Sequence, residues 1–261
     1  MRKIGLKLFS VNENYISEAV RLWENGLYQF VELYAVPDSY DRCIGIWIAL
    51  RKQYGIPFVV HAPHFMHGMN PGLKEKAETN KVLFSEAARY ADALLAAYII
   101  MHPGIGGEIE ETARQLKAFD DSRIIVENKP YHTVYTKDQL CNGSTPEEIA
   151  LVLQKAGVGF CLGVGHCFCA AYAQGLDPFS YLNRFLAFAP KIVHLADNTE
   201  GNPFDMHLHL GKGAHDLKQV LAVLPADCLL TIETDKDSQV SLGDFEEDVR
   251  YIKQISFESG G

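Results

Sequence analysis

The chain alternates short runs of apolar and β-branched residues with longer helical patterns over almost its whole length. Each run spans five or six residues, as is typical of buried strands. The runs occupy residues 4–9, 30–34, 57–61, 97–102, 123–127, 158–162, 191–195 and 228–233. Eight strands that alternate with helices predict an α/β fold of the (β/α)8 TIM-barrel type. A doubly wound sheet shows the same alternation but usually has fewer strands.

Helical patterns lie between these runs, and several have clear start and stop signals. At one of them, Thr145-Pro146-Glu147-Glu148 supplies an N-cap, a first-turn proline and first-turn acids, and Gly157 provides a stop. The patterns span residues 73–96, 109–119, 145–156, 178–188, 216–224 and 243–255. Because no linker or low-complexity tract interrupts them, we expect residues 1–261 to form one domain.

Composition limits the classes of partner. A hydrophobic content of 48% is enough for a large core, and the net charge of −9 disfavours nucleic acid, whose phosphates are bound by Lys and Arg. We found no signal peptide and no apolar stretch of the roughly 18 residues that span a membrane. Six scattered cysteines favour free thiols in a reducing compartment. We therefore expect a cytoplasmic protein with a small-molecule substrate and no membrane partner.

Histidines and glutamates collect at the ends of the predicted strands. In a TIM barrel the carboxyl ends of the strands form the face that carries active sites. Six residues lie near these ends: His61, His102, Glu127, His166, His194 and Glu233. Imidazole and carboxylate together suit zinc, manganese or cobalt, whereas calcium and magnesium favour oxygen ligands alone. Glu127 and Glu233 would also flank a substrate and exchange a proton with it.

The stretch 191–213 is the densest in such groups. It contains His194, Asp205, His207 and His209. Because apolar residues alternate with histidines around residues 206–210, we expect His207 and His209 to share one face of an extended segment. The stretch thus predicts a metal or catalytic site after the seventh strand.

Over essentially its full length the chain resembles the xylose isomerase-like barrel superfamily, which includes endonuclease IV and sugar isomerases and epimerases. The resemblance depends on the order and spacing of several short motifs. These are His61-Ala-Pro-His64 with Asn70, Met101-His-Pro-Gly104, Val126-Glu-Asn128, Gly165-His166, His194-Leu-Ala-Asp-Asn198, Asp205-Met-His207 with Gly211-Lys-Gly213, and Ile232-Glu233.

The resemblance implies two kinds of site. In the endonuclease IV-like form, three zinc ions would be bound, the first by His61, His102 and Glu127, the second by Glu127, His194 and Glu233, and the third by His166, Asp205 and His207. In the isomerase form, one metal would be bound by Glu127, His194, Glu233 and an aspartate after strand 6. There Glu127 and Glu233 would be acid and base, and His166 would contact the substrate.

The chain departs from both forms at residue 163. The strand 6 motif of the superfamily usually has an aspartate three residues before the histidine, where this chain has Gly163. Three ligands with an open position still form a catalytic zinc site, or Asp197 or water replaces the aspartate. On this basis, Gly163→Asp is expected to tighten metal binding.

Three functions remain open from the sequence. The first is a metal-dependent isomerase or epimerase of a sugar-like hydroxy-carbonyl compound, favoured by Asp197-Asn198 and by the acidic charge. The second is a zinc-dependent phosphodiesterase resembling endonuclease IV, favoured by His61 and His102. The third, suggested by Gly163, is a non-catalytic relative. In either enzyme the substrate-binding candidates are His64, Lys129, His209 and Lys212.

Overall fold

The protein forms a closed barrel of eight parallel strands, in which each strand pairs with the next and the last pairs with the first. A computed structural model describes residues 2–133 and 136–257. The barrel strands are β1 (Ile4–Phe9), β2 (Phe30–Tyr34), β3 (Phe58–His61), β4 (Ile99–Met101), β5 (Ile124–Glu127), β6 (Gly159–Gly163), β7 (Ile192–Leu195) and β8 (Leu229–Ile232). The predicted α/β TIM barrel is confirmed, with strand ends within two residues of those expected from the sequence.

Helices surround the barrel and connect its strands. They are α1 (Ile16–Glu24), α2 (Tyr40–Tyr54), α3 (Ala77–Leu94), α4 (Ile109–Ala118), α5 (Pro146–Ala156), α6 (Val164–Ala173), α7 (Pro178–Leu186), α8 (Leu217–Val223) and α9 (Gly243–Phe257). The start of α5 has the expected capping box between Thr145 and Glu148, and Gly157 ends it with a φ of 72°.

Helices α1, α2 and α6 and a small antiparallel pair lie outside the ranges predicted from the sequence. Helix α6 follows β6 directly, and its first eight residues are all buried, so it lacks the polar face that reveals a helix in a sequence. A small antiparallel pair, His132–Thr133 with Thr136–Leu140, follows β5. In the described ranges, no helix has the length and apolarity required to cross a membrane.

Alternation along the strands divides the barrel interior into two layers. One layer is an apolar cluster, separate from the main core, formed by Phe30, Val59, Ile100, Ile125, Cys161 and Ile192. Because successive strand residues point to opposite faces, the side chains two positions further along also point inward. For several strands these are polar: Glu32, His61, Glu127 and His194, all buried. The candidate site therefore lies directly on the apolar layer, at the carboxyl ends of the strands.

Candidate metal centre

Glu127, at the end of β5, is the centre of the buried polar layer. Its Oε1 lies 3.0 Å from Nδ1 of His166 and 3.0 Å from Nδ1 of His194. Its Oε2 lies 3.0 Å from Nε2 of His102 and 3.6 Å from Nε2 of His61. Burial opposes ionisation of Glu127, but the neighbouring charges of His194 and His166 outweigh it and hold its pKa well below the ordinary value. One carboxylate thus contacts four histidines that lie on four different strands or in the segments that follow them.

Four histidines of the site have one ring nitrogen fixed by an oxygen acceptor. Such a bond sets the tautomer and leaves the other nitrogen available as a ligand, an arrangement common around protein-bound metals. The bonds are His61 Nδ1 to Ala62 O (2.7 Å), His166 Nδ1 to Asn128 O (2.9 Å), His207 Nδ1 to Glu233 O (2.6 Å) and His194 Nε2 to Glu32 Oε2 (2.8 Å).

Unpartnered buried atoms show that the site fits divalent cations. His61 is 1% exposed, and its Nε2 has no hydrogen-bond partner. Oδ1 of the buried Asp205 also has none. Unsatisfied buried polar atoms are costly unless a ligand satisfies them. Three groups have ligand atoms within 4.8 Å of one another: His61 with His102 and Glu127, Glu127 with Cys161 and His194, and His166 with Asp205 and His207.

The group formed by His166, Asp205 and His207 lies on the cavity side of the layer. Oδ2 of Asp205 is 3.1 Å from Nε2 of His166 and 2.8 Å from Nε2 of His207. Burial lowers the pKa of His207, but the Asp205 carboxylate outweighs burial and raises it to about 10. Both imidazoles direct the nitrogen that is not bonded to a carbonyl toward the same carboxylate, as three ligands of one ion would.

An ion-pair network beside the centre was missed by the sequence analysis. The ammonium of Lys7, on β1, lies 3.1 Å from Oε1 of Glu32 and donates to Oε1 of Glu233. Burial opposes ionisation of Glu32, but His194 and Lys7 hold its pKa at about 2. Burial also disfavours the charged form of Lys7, yet Glu233 and Glu32 raise its pKa above the ordinary value. The sequence did contain a signal for this network: β1 and β2 are largely apolar, but each has one charged residue at an inward position, Lys7 and Glu32.

Gly163, where the superfamily usually has an aspartate, is tightly enclosed. Its N–H donates to Oδ1 of Asn128 (2.8 Å), and its carbonyl accepts from Nδ2 of the same side chain (3.0 Å). A Cβ placed on Gly163 would lie 2.6 Å from Oε1 of Glu127 and 2.6 Å from Nδ1 of His166. The substitution Gly163→Asp, which the sequence predicts to tighten metal binding, therefore has a steric cost. Both neighbours must move before the new carboxylate can reach a metal.

We predict that Gly163→Ala destabilises the metal-free protein by about 1–3 kcal/mol, the usual cost of overpacking a tight interior. The measurement is urea unfolding in the presence of a chelator. Gly45→Ala in α2 is the matched control, because its Cβ would have no neighbour within 4 Å and the change should be neutral or stabilising. Equal unfolding free energies for wild type and Gly163→Ala would contradict the enclosure.

Asp197 does not replace the missing aspartate. Its Oδ1 accepts from the N–H groups of Asn198 (2.9 Å) and His215 (3.0 Å), and its Oδ2 accepts from those of Gly211 and Gly213 (both 3.0 Å). A carboxylate with four backbone donors organises the loop after β7. The suggestion that Asp197 is a substitute ligand is therefore wrong, and the Asp197-Asn198 pairing no longer favours an isomerase.

A cavity of about 610 Å³ opens above the centre. Among its lining residues are His61, His102, His166, Asp205, His207, Glu233, His64 and Lys129. Nζ of the buried Lys129 lies 3.1 Å from Nε2 of His166. Burial, together with the charges of Lys129 and His61, lowers the pKa of His64 to about 2, so its imidazole is neutral. The structure thus brings His64 and Lys129 beside the candidate ligands.

His209 and Lys212 lie elsewhere, around a second cavity of about 440 Å³. His207 has a φ of 48°, which breaks the extended segment expected at residues 206–210. Consequently His207 points to Asp205, whereas Nδ1 of His209 lies 3.1 Å from Oδ2 of Asp248. The expectation that the two histidines share one face is wrong, and His209 and Lys212 are not brought to the main cavity.

The chain matches a known protein family over most of its length. Residues 24–255 match the family model described as the xylose isomerase-like TIM barrel. Endonuclease 4 of Thermus thermophilus is 29% identical over 189 residues, which are 66% of this chain and 66% of that protein's length. A probable endonuclease 4 of Aquifex aeolicus is 25% identical over 212 residues, 72% of this chain and 74% of that protein.

Two solved structures are similar over almost the whole chain. A D-tagatose 3-epimerase-like protein has a TM-score of 0.74 at 20% identity and covers 97% of this chain and 96% of its own. Endonuclease IV from Thermus thermophilus has a TM-score of 0.74 at 22% identity and covers 98% of this chain and 99% of its own. At these identities the similarity concerns the fold alone, so the choice of chemistry depends on the site.

Proposed function

The chain belongs to the xylose isomerase-like TIM barrel family, and within it we propose a metal-dependent phosphodiesterase that acts on a small phosphodiester. The observation that carries this proposal is the position of Glu127. It is 0% exposed, contacts four imidazoles and lies outside the cavity lining. A carboxylate so placed is suited to bridge metals and not to contact a substrate.

The same position disfavours the isomerase mechanism that the sequence suggested first. That mechanism requires two glutamates that exchange protons with the substrate from opposite sides. Of the pair, Glu233 lines the cavity, but Glu127 is separated from it by the histidines. A general base must come within hydrogen-bond reach of the proton that it removes.

The residues of this chain would share the work as follows. The three ligand groups would hold cations that polarise a phosphoryl oxygen and lower the pKa of water. Lys129, at the cavity wall, would bind a non-bridging phosphate oxygen with a charge-assisted hydrogen bond. Glu233 would accept the proton of the attacking water at its carboxylate. The neutral imidazole of His64 would orient an uncharged part of the substrate.

Two observations help to choose the substrate class: the names of the relatives and the net charge of the chain. The curated relatives are named endonuclease 4 or probable endonuclease 4, which supports phosphodiester chemistry. The net charge of −9 disfavours a long nucleic acid, whose binding depends on many Lys and Arg contacts. We therefore propose a small diester for this chain.

A sugar isomerase or epimerase is the second candidate, and the size of the cavity favours it. About 610 Å³ lies within the range of small-ligand sites, and both His166 and Glu233 line it. In this alternative Glu233 and His166 would contact a hydroxy-carbonyl substrate at a single manganese or cobalt ion. Three-ligand sites with an open position are sufficient for such catalysis.

The test is a parallel assay of the protein loaded with zinc, manganese or cobalt. Substrates are bis(p-nitrophenyl) phosphate, a duplex with one abasic site, and a panel of ketoses. We expect zinc-dependent cleavage of the diester, weak or no cleavage of the duplex, and no ketose interconversion. Ketose interconversion without diester cleavage would overturn the proposal in favour of the isomerase. Absence of metal binding after reconstitution would leave only a non-catalytic role.

Lys129 and Lys212 form a matched pair for the same assay. Lys129→Met removes a charge at the cavity, so we expect kcat/KM for the diester to fall about tenfold or more, as for a lost charge-assisted hydrogen bond. Lys212 is exposed and lines the second cavity, so Lys212→Met should leave kcat/KM unchanged. Equal losses in both variants would contradict the placement of the substrate.

A further inference from the structure

The central ligand group of this chain contains a thiol. We propose that Cys161 supplies the ligand that Gly163 lacks, so that the central ion is bound by Cys161 together with Glu127 and His194. This inference rests on the proposed function only in that both require a metal at this centre. Its consequence is a site with mixed sulfur, nitrogen and oxygen ligands in place of one with nitrogen and oxygen alone.

The position of Cys161 follows from the strand. It lies two residues before Gly163 on β6, so both residues are on the inward side of the barrel. In the strand ladder Cys161 pairs with Glu127, and Gly163 pairs with His194. The thiol is therefore one layer deeper than the usual aspartate but adjacent to the same two partners. It is 0% exposed.

The distances suit a single ion. The ligand atoms of Glu127, Cys161 and His194 all lie within 4.8 Å of one another. Zinc binds sulfur at about 2.3 Å and nitrogen or oxygen at about 2.0–2.2 Å, so tetrahedral ligand atoms lie about 3.5 Å apart. Adjustments on the order of 1 Å complete the group. Nδ1 of His194 also lies 2.9 Å from Oε2 of Glu233, so the Glu233 carboxylate borders this group from the cavity side.

Other donors near the centre are already engaged. Both oxygens of Asp197 accept backbone N–H groups. Oε2 of Glu32 accepts from Thr231 Oγ1 and His194 Nε2, and Oε1 pairs with Lys7. Asp205 belongs to the group with His166 and His207. Among the residues that the structure describes around the central group, Cys161 is the sulfur donor within reach of both Glu127 and His194.

The unpartnered nitrogen of His61 is an independent sign that this layer binds a ligand. Nε2 of His61 is buried, has no hydrogen-bond partner and points toward Oε2 of Glu127. When a metal binds, the S–H bond of Cys161 breaks, its proton passes to solvent, and the sulfur donates its electron pair to the ion. A thiolate is a soft ligand that favours zinc or cobalt over manganese.

The experiment is cobalt substitution followed by ultraviolet absorption. Wild type loaded with Co²⁺ is expected to show a thiolate-to-cobalt charge-transfer band in the near ultraviolet. Cys161→Ser and Cys161→Ala should lose the band and bind metal roughly 100-fold more weakly, at the upper end of the losses seen when a metal's surroundings are altered. Cys43→Ala, in the buried face of α2, should keep the band.

Each outcome decides between alternatives. A wild-type protein that binds Co²⁺ without a charge-transfer band overturns the assignment, whether or not the variants fold. A band that persists in folded Cys161→Ser overturns it too. If the band is present but the diester is not cleaved, Cys161 is a ligand and the proposed function is wrong. If the diester is cleaved but the band is absent, the proposed function holds and the assignment of Cys161 as a ligand is wrong.

Discussion

Glu127→Gln is expected to empty the metal centre and to lower the activity of the protein by roughly 10³-fold or more, as when a principal catalytic group is removed. The glutamate contacts His61 and His102, which form the first ligand group with it, and also His194 of the central group. Its Oε1 also lies 3.0 Å from Nδ1 of His166. An amide has one acceptor oxygen and no charge, so it would serve these partners poorly and turn an N–H₂ toward one side. Metal content per chain, measured by elemental analysis after dialysis, and the diester assay are the readouts.

Glu78→Gln is the control for this variant. Glu78 lies in the exposed first turn of α3, far along the chain from any ligand group, so its substitution should leave metal content and activity unchanged. If Glu127→Gln retained the wild-type metal content, the shared carboxylate would not be the bridge, and the ligand groups would bind their ions independently. Retained content with lost activity would instead give Glu127 a role in proton transfer.

The eight metal-ligand candidates were accessible from the sequence because they stand near strand ends or in the segments that follow. Once a β-rich run is recognised, its last residue is known to face the active end of a barrel. His61, Glu127 and Glu233 each follow this pattern closely. The structure brings all eight candidates together, and their role as ligands stays a prediction.

Lys7 and Glu32 were missed because they lie within strands and not at their ends. Strand inward and outward positions alternate, so the inward set can be read from residues two apart, as in Phe30 and Glu32. The sequence does not say, however, that Lys7 on β1 meets Glu32 on β2 and Glu233 after β8. That contact depends on the closure of the barrel, which sets the first and last strands side by side.

Asp197 and His209 show a second limit. The partners of Asp197 are backbone N–H groups up to 18 residues away, and no residue type marks a backbone donor in a sequence. His207 has a left-handed backbone conformation with a φ of 48°, and this turn of the chain directs His209 away from the side chain of His207. Loop paths of this kind depend on many weak contacts, whereas the strand pattern depends on repeated burial.

Lys7→Met is expected to destabilise the metal-free protein by about 3–5 kcal/mol at pH 7, the cost of leaving a buried charge without its partner. Oε1 of Glu32 is paired only with Lys7 among the contacts described above, and the Glu32 side chain is 0% exposed. Urea unfolding in the presence of a chelator is the measurement. Lys3→Met, at an exposed position just before β1, should change the free energy of unfolding by less than about 0.5 kcal/mol.

The pKa of Glu32 predicts how the destabilisation by Lys7→Met changes with pH. In wild type the pKa of Glu32 is about 2, below its ordinary value of 4.5, so the stability from its ionised form is present above pH 4.5 and is lost as the pH falls toward 2. Without Lys7, His194 is left to oppose burial, so the pKa of Glu32 should be higher in Lys7→Met than in wild type. The difference in stability between wild type and Lys7→Met should therefore be complete at pH 7 and shrink as the pH falls through the raised pKa of the variant toward 2.

A double variant separates charge from packing. Lys7→Met combined with Glu32→Gln removes both members of the pair, while the introduced amide keeps an oxygen for the bonds from Thr231 and His194. Since the double variant removes the buried Glu32 charge together with its partner, most of the lost free energy of unfolding should return. A double variant as unstable as Lys7→Met would mean that Lys7 acts through its packing or through Glu233, and that the Glu32 charge is satisfied without it.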